Sequence, residues 1–463
     1  MISITLPDQV EYILDTLMKH GYEAYAVGGC VRDTILGRCP GDWDITTSAK
    51  PNEVKKLFSR TVDTGIQHGT VTVMFDKEGF EITTYRIDGE YEDSRHPKEV
   101  EFTSNLSEDL KRRDFTINAM AYNHKNGLVD IFDGIGDIER KLIRCVGNPL
   151  ERFDEDALRM LRAVRFAGQL GFSIDDATRE AIVKKAPTLE RISQERIRVE
   201  LDKLLLSKEP ELLLEASKTR MCEVVLPEFD AMVLQEQSNP HHVYSVGIHV
   251  LKSVEECNRY LEQNNGCIIA KYPPIDAKLH SALCWTLLLH DVGKPITHTT
   301  GLDGTDHFYG HAEKGSQIAK NILKRLKFDN YTLELVVRLI KWHDYRFLPE
   351  ASKIRKAASK IGPDIIECLL FVQRMDIYAK NPKFMDEKLM KLEKIVEIYQ
   401  QIKDDNQCLT LKQLAVNGED LMQQIGITSG PKVGETLNYL LNYVLENPDK
   451  NNREYLLNQI KKQ

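Results

Sequence analysis

The chain has 463 residues, too many for one hydrophobic core, so two to four domains are expected. Its hydrophobic content of 42% is that of a globular protein, no apolar run approaches the ~20 residues that span a bilayer, and a net charge of −8 argues against non-specific binding to nucleic acid. Nine cysteines without a C-x-x-C pair, and an opening that lacks the basic region and cleavage pattern of a signal peptide, lead to the expectation of a reducing, cytoplasmic location.

Residues 6–20 predict an amphipathic helix, and YEAYAVGG a strand running into a turn at Gly28 and Gly29. The helix VRDTILG then stops at Gly37. A glycine turn of this kind lets a phosphate chain approach the backbone, and the following helix offers it free N–H groups. Asp42 and Asp44 follow in Asp-Trp-Asp-Ile-Thr-Thr, read as a strand in which residues i and i+2 share a face. Two carboxylates on one face repel each other, and a shared divalent cation with hard oxygen ligands, typically Mg²⁺, relieves the repulsion. A lone glycine pair is usually a turn and a lone D-x-D usually solvated surface. In this order and spacing the two together point to two-metal nucleotidyl transfer. TVTVMF and FEITTYRI read as strands, the second carrying Glu81. Glu81 is either a third acidic residue of the site or an outward-facing strand residue.

Residues 86–105 are charged and without periodicity, and are expected to form a loop at the mouth of the site. Ser107 reads as a helix N-cap, and Arg112 and Arg113 supply guanidinium groups suited to triphosphate oxygens or, equally, to a solvated helix face. After residue 140 the β signal fades. Residues 151–167, ERFDEDALRMLRAVRFA, predict one helix on which Asp156 and Arg159 share a face, with Arg162 continuing it and Arg165 nearby. A carboxylate and a guanidinium held together can read a base edge. The same spacing also suits surface ion pairs. The rest is mostly helical, with loops expected at 260–276 and 402–410.

Histidines then gather along the chain. His249 lies on a helix, His290 and Asp291 end an apolar one in TLLLHDVGKP, and His311, His343 and Asp376 follow. Imidazoles and carboxylates on neighbouring helices predict a mixed nitrogen and oxygen site for a divalent transition metal or Mg²⁺. A water activated there would attack a phosphate ester.

GGCVRD, GDWDITT, EITTYR, EDLKRRDFTINAMAY, DGIGDI and RFDEDALRMLRAVRF together resemble the motifs of the class II tRNA nucleotidyltransferases, the family of CCA-adding enzymes and poly(A) polymerases. The central segment resembles an HD-type metal-dependent phosphohydrolase domain. The resemblance implies an α+β fold: a mixed α/β nucleotidyltransferase head over 1–140, a helical neck over 141–235, an HD-bearing body over 236–400 and a tRNA-binding helical tail over 401–463. It implies template-independent addition of CCA to tRNA from CTP and ATP, with A-only addition or polyadenylation as the narrower alternatives. A phosphohydrolase acting on RNA ends is the alternative of another class. By the same resemblance Asp42 and Asp44 hold Mg²⁺, with Glu81 as an additional acidic residue. Gly28, Gly29, Arg32 and Arg113 contact the triphosphate, and Asp156, Arg159, Arg162 and Arg165 serve the base. His249, His290, Asp291 and Asp376 make the HD site, with His311 and His343 available for a second metal. Gly430-Pro431 and Gly434 would form a turn that meets RNA phosphates.

Overall fold

The computed structural model describes residues 3–88, 100–238, 243–268, 274–426 and 428–461. The chain divides into two compact units, Met1–Pro227 and Glu228–Gln463.

A seven-stranded mixed sheet organises the first unit. Its strands are β1 (Ala24–Val27), β2 (Ile45–Thr47), β3 (Thr61–Gly65), β4 (Thr70–Phe75), β5 (Glu78–Thr84), β8 (Met120–Asn123) and β9 (Gly127–Asp130). They lie in the order β3-β4-β5-β2-β1-β8-β9, antiparallel except where β2 meets β5. The β-branched and aromatic composition of β4 and β5 explains their pairing. Val71 lies opposite Ile82 and Val73 opposite Phe80, and all four are buried. Each such burial contributes about 1.5–3 kcal/mol. The helix Asp8–Lys19 adds Val10, Ile13, Leu14 and Leu17, one apolar stripe at helical spacing. β6 (Arg86–Asp88) and β7 (Val100–Phe102) pair as a ribbon. The centre of the predicted loop, 89–99, lies outside the described residues.

Three local expectations are corrected in this unit. The strand predicted from Asp42 begins only at Ile45, because β1 ends at Val27 and Gly28 turns away with φ +84, leaving 41–43 no neighbouring strand among the described residues. Only Asp44 extends the ladder, its carbonyl accepting from Val27 N at 3.0 Å. The predicted helix 151–167 is two helices, Pro149–Glu155 and Leu158–Leu170. Asp156 breaks them apart in an extended conformation, and its carboxylate accepts from Leu158 N at 3.0 Å, an alternative to helix that short acidic side chains offer the backbone. Asp156 and Arg159 are therefore not neighbours on one helix face. The cap of the helix Leu106–Lys111 is Asn105 rather than Ser107, because the Asn105 side chain accepts from Ser107 N at 2.9 Å.

The second unit is built of helices, among them Val246–Gln263, Ala277–Leu289, His311–Arg325, Asn330–Trp342, Ile366–Tyr378, Met385–Asp404 and Pro431–Glu446. Ala277–Leu289 is apolar on every side from Ala282 onward and is buried accordingly. Gly434 lies inside the helix Pro431–Glu446, so the predicted turn is confined to Gly430, at φ +149, just before Pro431 starts the helix. The α+β architecture, a mixed-sheet head followed by helices, is the one expected.

Candidate active sites

In the first unit the strand ends gather the acidic residues. The β2–β5 register pairs Ile45 with Ile82, which one residue earlier sets Asp44 beside Glu81. The Asp44 carboxyl is held above its ordinary value. Partial withdrawal from water contributes most, the Arg113 guanidinium opposes it, and the Asp42 and Glu81 carboxylates add to it. Two acidic groups and one arginine thus act on Asp44, and the carboxylates make a donor set of hard oxygens that suits divalent metal.

Gly28 and Gly29 open the helix Gly29–Ile35 at the end of β1. A Cβ at Gly28 would stand 2.9 Å from Arg113 Nη1, so only glycine lets that guanidinium close over the turn. Arg32 is buried and already engaged: Nη1 donates to Asn118 Oδ1 at 2.6 Å, and Nε and Nη2 donate to Asp33.

A cavity of about 240 Å³ adjoins this turn, lined by Arg112, Arg113, Asp114, Asp156, Arg159, Arg162 and Arg196 together with Leu158. Its arginines are held in place. Arg162 donates twice to Asp114 Oδ2, at 2.6 and 2.8 Å, and Arg159 donates to the Arg112 carbonyl at 2.9 Å. Burial pushes the Asp114 carboxyl up, but Arg162 and Arg159 outweigh it and hold the group well below the carboxylate range. Arg196 pairs with Asp156 at 2.7 Å. Arg165 stands behind the cavity, paired with Glu200 at 2.6 Å and 3.9 Å from the centre of the Phe166 ring. Arg113 Nε and Arg196 Nη1 are buried nitrogens without a hydrogen-bond partner among the described residues. Arg113 belongs to both places, since it lines the cavity and acts on Asp44. Asp114 and Arg196 were not singled out from sequence. Arg196 lies forty positions from its partner Asp156 on the helix Gln194–Leu205, and its local sequence carries no signal.

In the second unit the six predicted residues form one cluster, the four histidines gathered around Asp291 and two of them around Asp376. Its carboxylate oxygens lie 3.4 Å from His290 Nε2, 3.5 Å from His311 Nε2, and 3.7 Å from the Nε2 atoms of both His249 and His343. Asp376 Oδ1 lies 3.0 Å from His249 Nε2 and 3.6 Å from His290 Nε2. Each Nδ1 faces a backbone carbonyl: Ala379 for His249 at 3.2 Å, Leu287 for His290 at 2.8 Å, Phe308 for His311 at 2.8 Å and Ile340 for His343 at 2.7 Å. A carbonyl can only accept, so in the neutral rings of His290, His311 and His343 the proton sits on Nδ1 and the Nε2 lone pair points inward, while His249 faces an acceptor at both nitrogens. His311 and His343 bring their Nε2 atoms to 3.2 Å, a repulsive approach that a cation between them would remove. His290 Nε2 is buried with no hydrogen-bond partner among the described residues. Burial pushes the Asp291 carboxyl up, but Lys294 at 2.7 Å and His290 more than reverse this and hold it far below the carboxylate range. A cavity of about 770 Å³ opens from this cluster, rimmed by Lys294, Arg346, Lys380 and Lys388. No pattern in the sequence marks these lysines for the site.

Three family models match the chain: the Poly A polymerase head domain over 24–144, the probable RNA and SrmB-binding site of polymerase A over 171–233, and tRNA nucleotidyltransferase domain 2 over 311–460. A CCA-adding enzyme of Limosilactobacillus reuteri is 39% identical, covering 83% of this chain and 95% of its own length. One from Ligilactobacillus salivarius is 35% identical, covering 100% and 98%. The crystal structure of the Bacillus stearothermophilus CCA-adding enzyme in complex with CTP superposes with a TM-score of 0.68 at 29% identity, over 99% of each chain.

Proposed function

The chain belongs to the CCA-adding enzyme family of tRNA nucleotidyltransferases, and from that premise we propose that its first unit adds C, C and A to the 3′ end of tRNA, using CTP and ATP. A-only addition and polyadenylation are not favoured, since the relatives that match most of the chain are CCA-adding enzymes. The observation that carries the assignment of residues is Arg113, which joins the acidic strand ends to the arginine-lined cavity.

Nucleotidyltransferases of this family generally use a divalent metal. Asp42 and Asp44, with Glu81 beside them, are the residues that would hold Mg²⁺ here. When bound, Mg²⁺ supplies charge neutralisation at the triphosphate and a lowered pKa for the attacking 3′-hydroxyl. The protein's own part is positioning and reading. Gly28 and Gly29 admit the triphosphate to the backbone, and Arg113 neutralises it from the opposite side. Arg32 reaches the triphosphate by exchanging its Asp33 partner for a phosphate oxygen. Cytosine and adenine both present an exocyclic amino donor beside a ring-nitrogen acceptor. Asp156 accepts from the first and Arg159 donates to the second, whereas uracil and guanine place a carbonyl where the amino group is needed. Arg162, anchored by Asp114, and Arg165, anchored by Glu200, hold this pair in place. The division into head 1–140, neck 141–235, body 236–400 and tail 401–463 assigns tRNA recognition to the helical parts, by shape and backbone contacts. The fold contains no helix long and apolar enough to cross a membrane among the described residues, and the proposed setting is the cytoplasm.

In the second unit, His249, His290, Asp291 and Asp376 would hold a divalent transition metal or Mg²⁺, with His311 and His343 available for a second ion that shares Asp291. Such an ion supplies an activated water when bound. The basic rim orients a phosphate ester at an RNA end. The specific observation behind this reading is the set of four imidazoles with their Nδ1 atoms committed to backbone carbonyls. Separate substitutions test both assignments. Asp42→Ala ends nucleotide addition and spares phosphate-ester hydrolysis, and Asp291→Ala does the reverse; loss of both activities in either variant would contradict the division of labour.

A further inference from the structure

A second donor cluster lies elsewhere in the second unit and uses different chemistry. Cys257, on the helix Val246–Gln263, faces His280 and Cys284, which stand one turn apart on the helix Ala277–Leu289. One ligand atom from each of the three residues lies within 4.8 Å of the other two. Both cysteines are fully buried. Asn258 Oδ1 is beside them, 2.8 Å from His280 Nε2 and 3.4 Å from Cys284 Sγ. Around this polar group the helices present Val254, Leu261, Leu283 and Leu287, all buried. Two buried thiols and a half-buried imidazole thus converge on one another and on a single amide oxygen, a mixed sulfur and nitrogen donor set.

We propose that Cys257, His280 and Cys284 bind one thiophilic divalent ion of the zinc class, with the Asn258 amide oxygen beside the fourth position. Two thiolates and a neutral imidazole cancel the charge of a divalent ion, so the filled site is neutral in an apolar surrounding. The two thiol protons leave to solvent on binding. For Zn–S bonds of about 2.3 Å in a tetrahedron, neighbouring ligand atoms stand about 3.5–4 Å apart. The 4.8 Å limit within which the three ligand atoms already lie is close to that spacing. The site is structural. It clamps the helix that carries His249 to the helix that leads into His290, roughly two turns from each of those residues. Sulfur ligation also distinguishes it from the histidine-aspartate cluster, whose donors are nitrogen and oxygen only.

Cobalt substitution of the full-length protein reads the two sites separately. The wild type is expected to show thiolate-to-cobalt charge-transfer absorption, and Asp291→Ala to keep it. The double variant Cys257→Ala/Cys284→Ala is expected to lose it, to carry one zinc per chain fewer than the wild type, and to retain nucleotide addition. His280→Asn, which leaves both sulfurs in place, is expected to weaken zinc binding at least tenfold and covers the case in which the double variant fails to fold. Absence of the charge-transfer band in wild type with both thiols reduced would overturn the proposal. So would an unchanged zinc content in the double variant, or a Cys257–Cys284 disulfide found by mass spectrometry in protein purified under reducing conditions.

Discussion

Asp114→Asn changes one atom of functional weight. Asp114 Oδ1 accepts from Phe115 N at 2.9 Å and from Asn118 Nδ2 at 3.1 Å, and an asparagine oxygen keeps both bonds. Oδ2, which accepts both bonds from Arg162, becomes an amide NH₂ facing a guanidinium. Removing one member of a buried pair costs about 3–5 kcal/mol when the remaining charge is stranded. The Arg162 side chain is 34% exposed, against 8% for Asp114, so water takes over part of the lost interaction. The expected loss is about 2–3 kcal/mol. Native-state hydrogen exchange on the amides of Leu158–Leu170 is the assay, since it reports the local unit that Arg162 belongs to. The pH dependence supplies a second check. The folded-state pKa of Asp114 is depressed, so its contribution is complete above the ordinary carboxylate range. It fades as pH falls below about 4 toward the depressed value. The gap between wild type and variant must therefore narrow in acid. A difference below about 1 kcal/mol at neutral pH, or a gap that stays constant as pH falls, would refute the reasoning.

Arg196→Ala removes the partner of Asp156 and is expected to lower kcat/KM for CTP and ATP about tenfold while relaxing discrimination against UTP, as single-turnover incorporation would show. Unchanged discrimination would mean that Asp156 is positioned without Arg196. Shortening the segment 89–99, which joins β6 to β7, is expected to spare addition of the two cytidines and abolish addition of adenosine, read on a sequencing gel. Equal loss of all three steps would count against a role in switching specificity. Glu81→Gln keeps the shape of β5 and removes one of the carboxylates acting on Asp44. It is expected to raise the Mg²⁺ concentration needed for half-maximal nucleotide addition, and an unaltered requirement would make Glu81 an outward-facing strand residue.

The sheet and the histidine cluster were legible in the sequence for physical reasons. Val71, Val73, Phe80 and Ile82 alternate as a half-buried surface demands, and the period survives in any tertiary context. A lone histidine can be a satisfied core residue, but His290-Asp291 at the end of an apolar helix, with further histidines on later helices, puts more polar donors in one interior than packing alone accommodates. What stayed hidden is what long-range contacts decide. Asp156 sits in a helical pattern, yet its carboxylate competes for the backbone and starts a new helix two residues later. The break re-aims Asp156 toward Arg196 and leaves Arg159 to the Arg112 carbonyl, so the pair proposed to read the base lines one cavity without sharing a helix face. The carbonyls that fix the histidine tautomers come from backbone, which no side-chain pattern encodes. Cys257 and Cys284 meet only because two helices pack side by side, and a search for C-x-x-C passes over them.

The most direct measurement is incubation of the protein with tRNA lacking its terminal CCA, Mg²⁺ and labelled CTP or ATP, separately and together, resolved to single nucleotides. CCA addition predicts three added nucleotides with both substrates and two with CTP alone. ATP incorporation only onto tRNA already ending in CC, or long tracts of A, would contradict that claim.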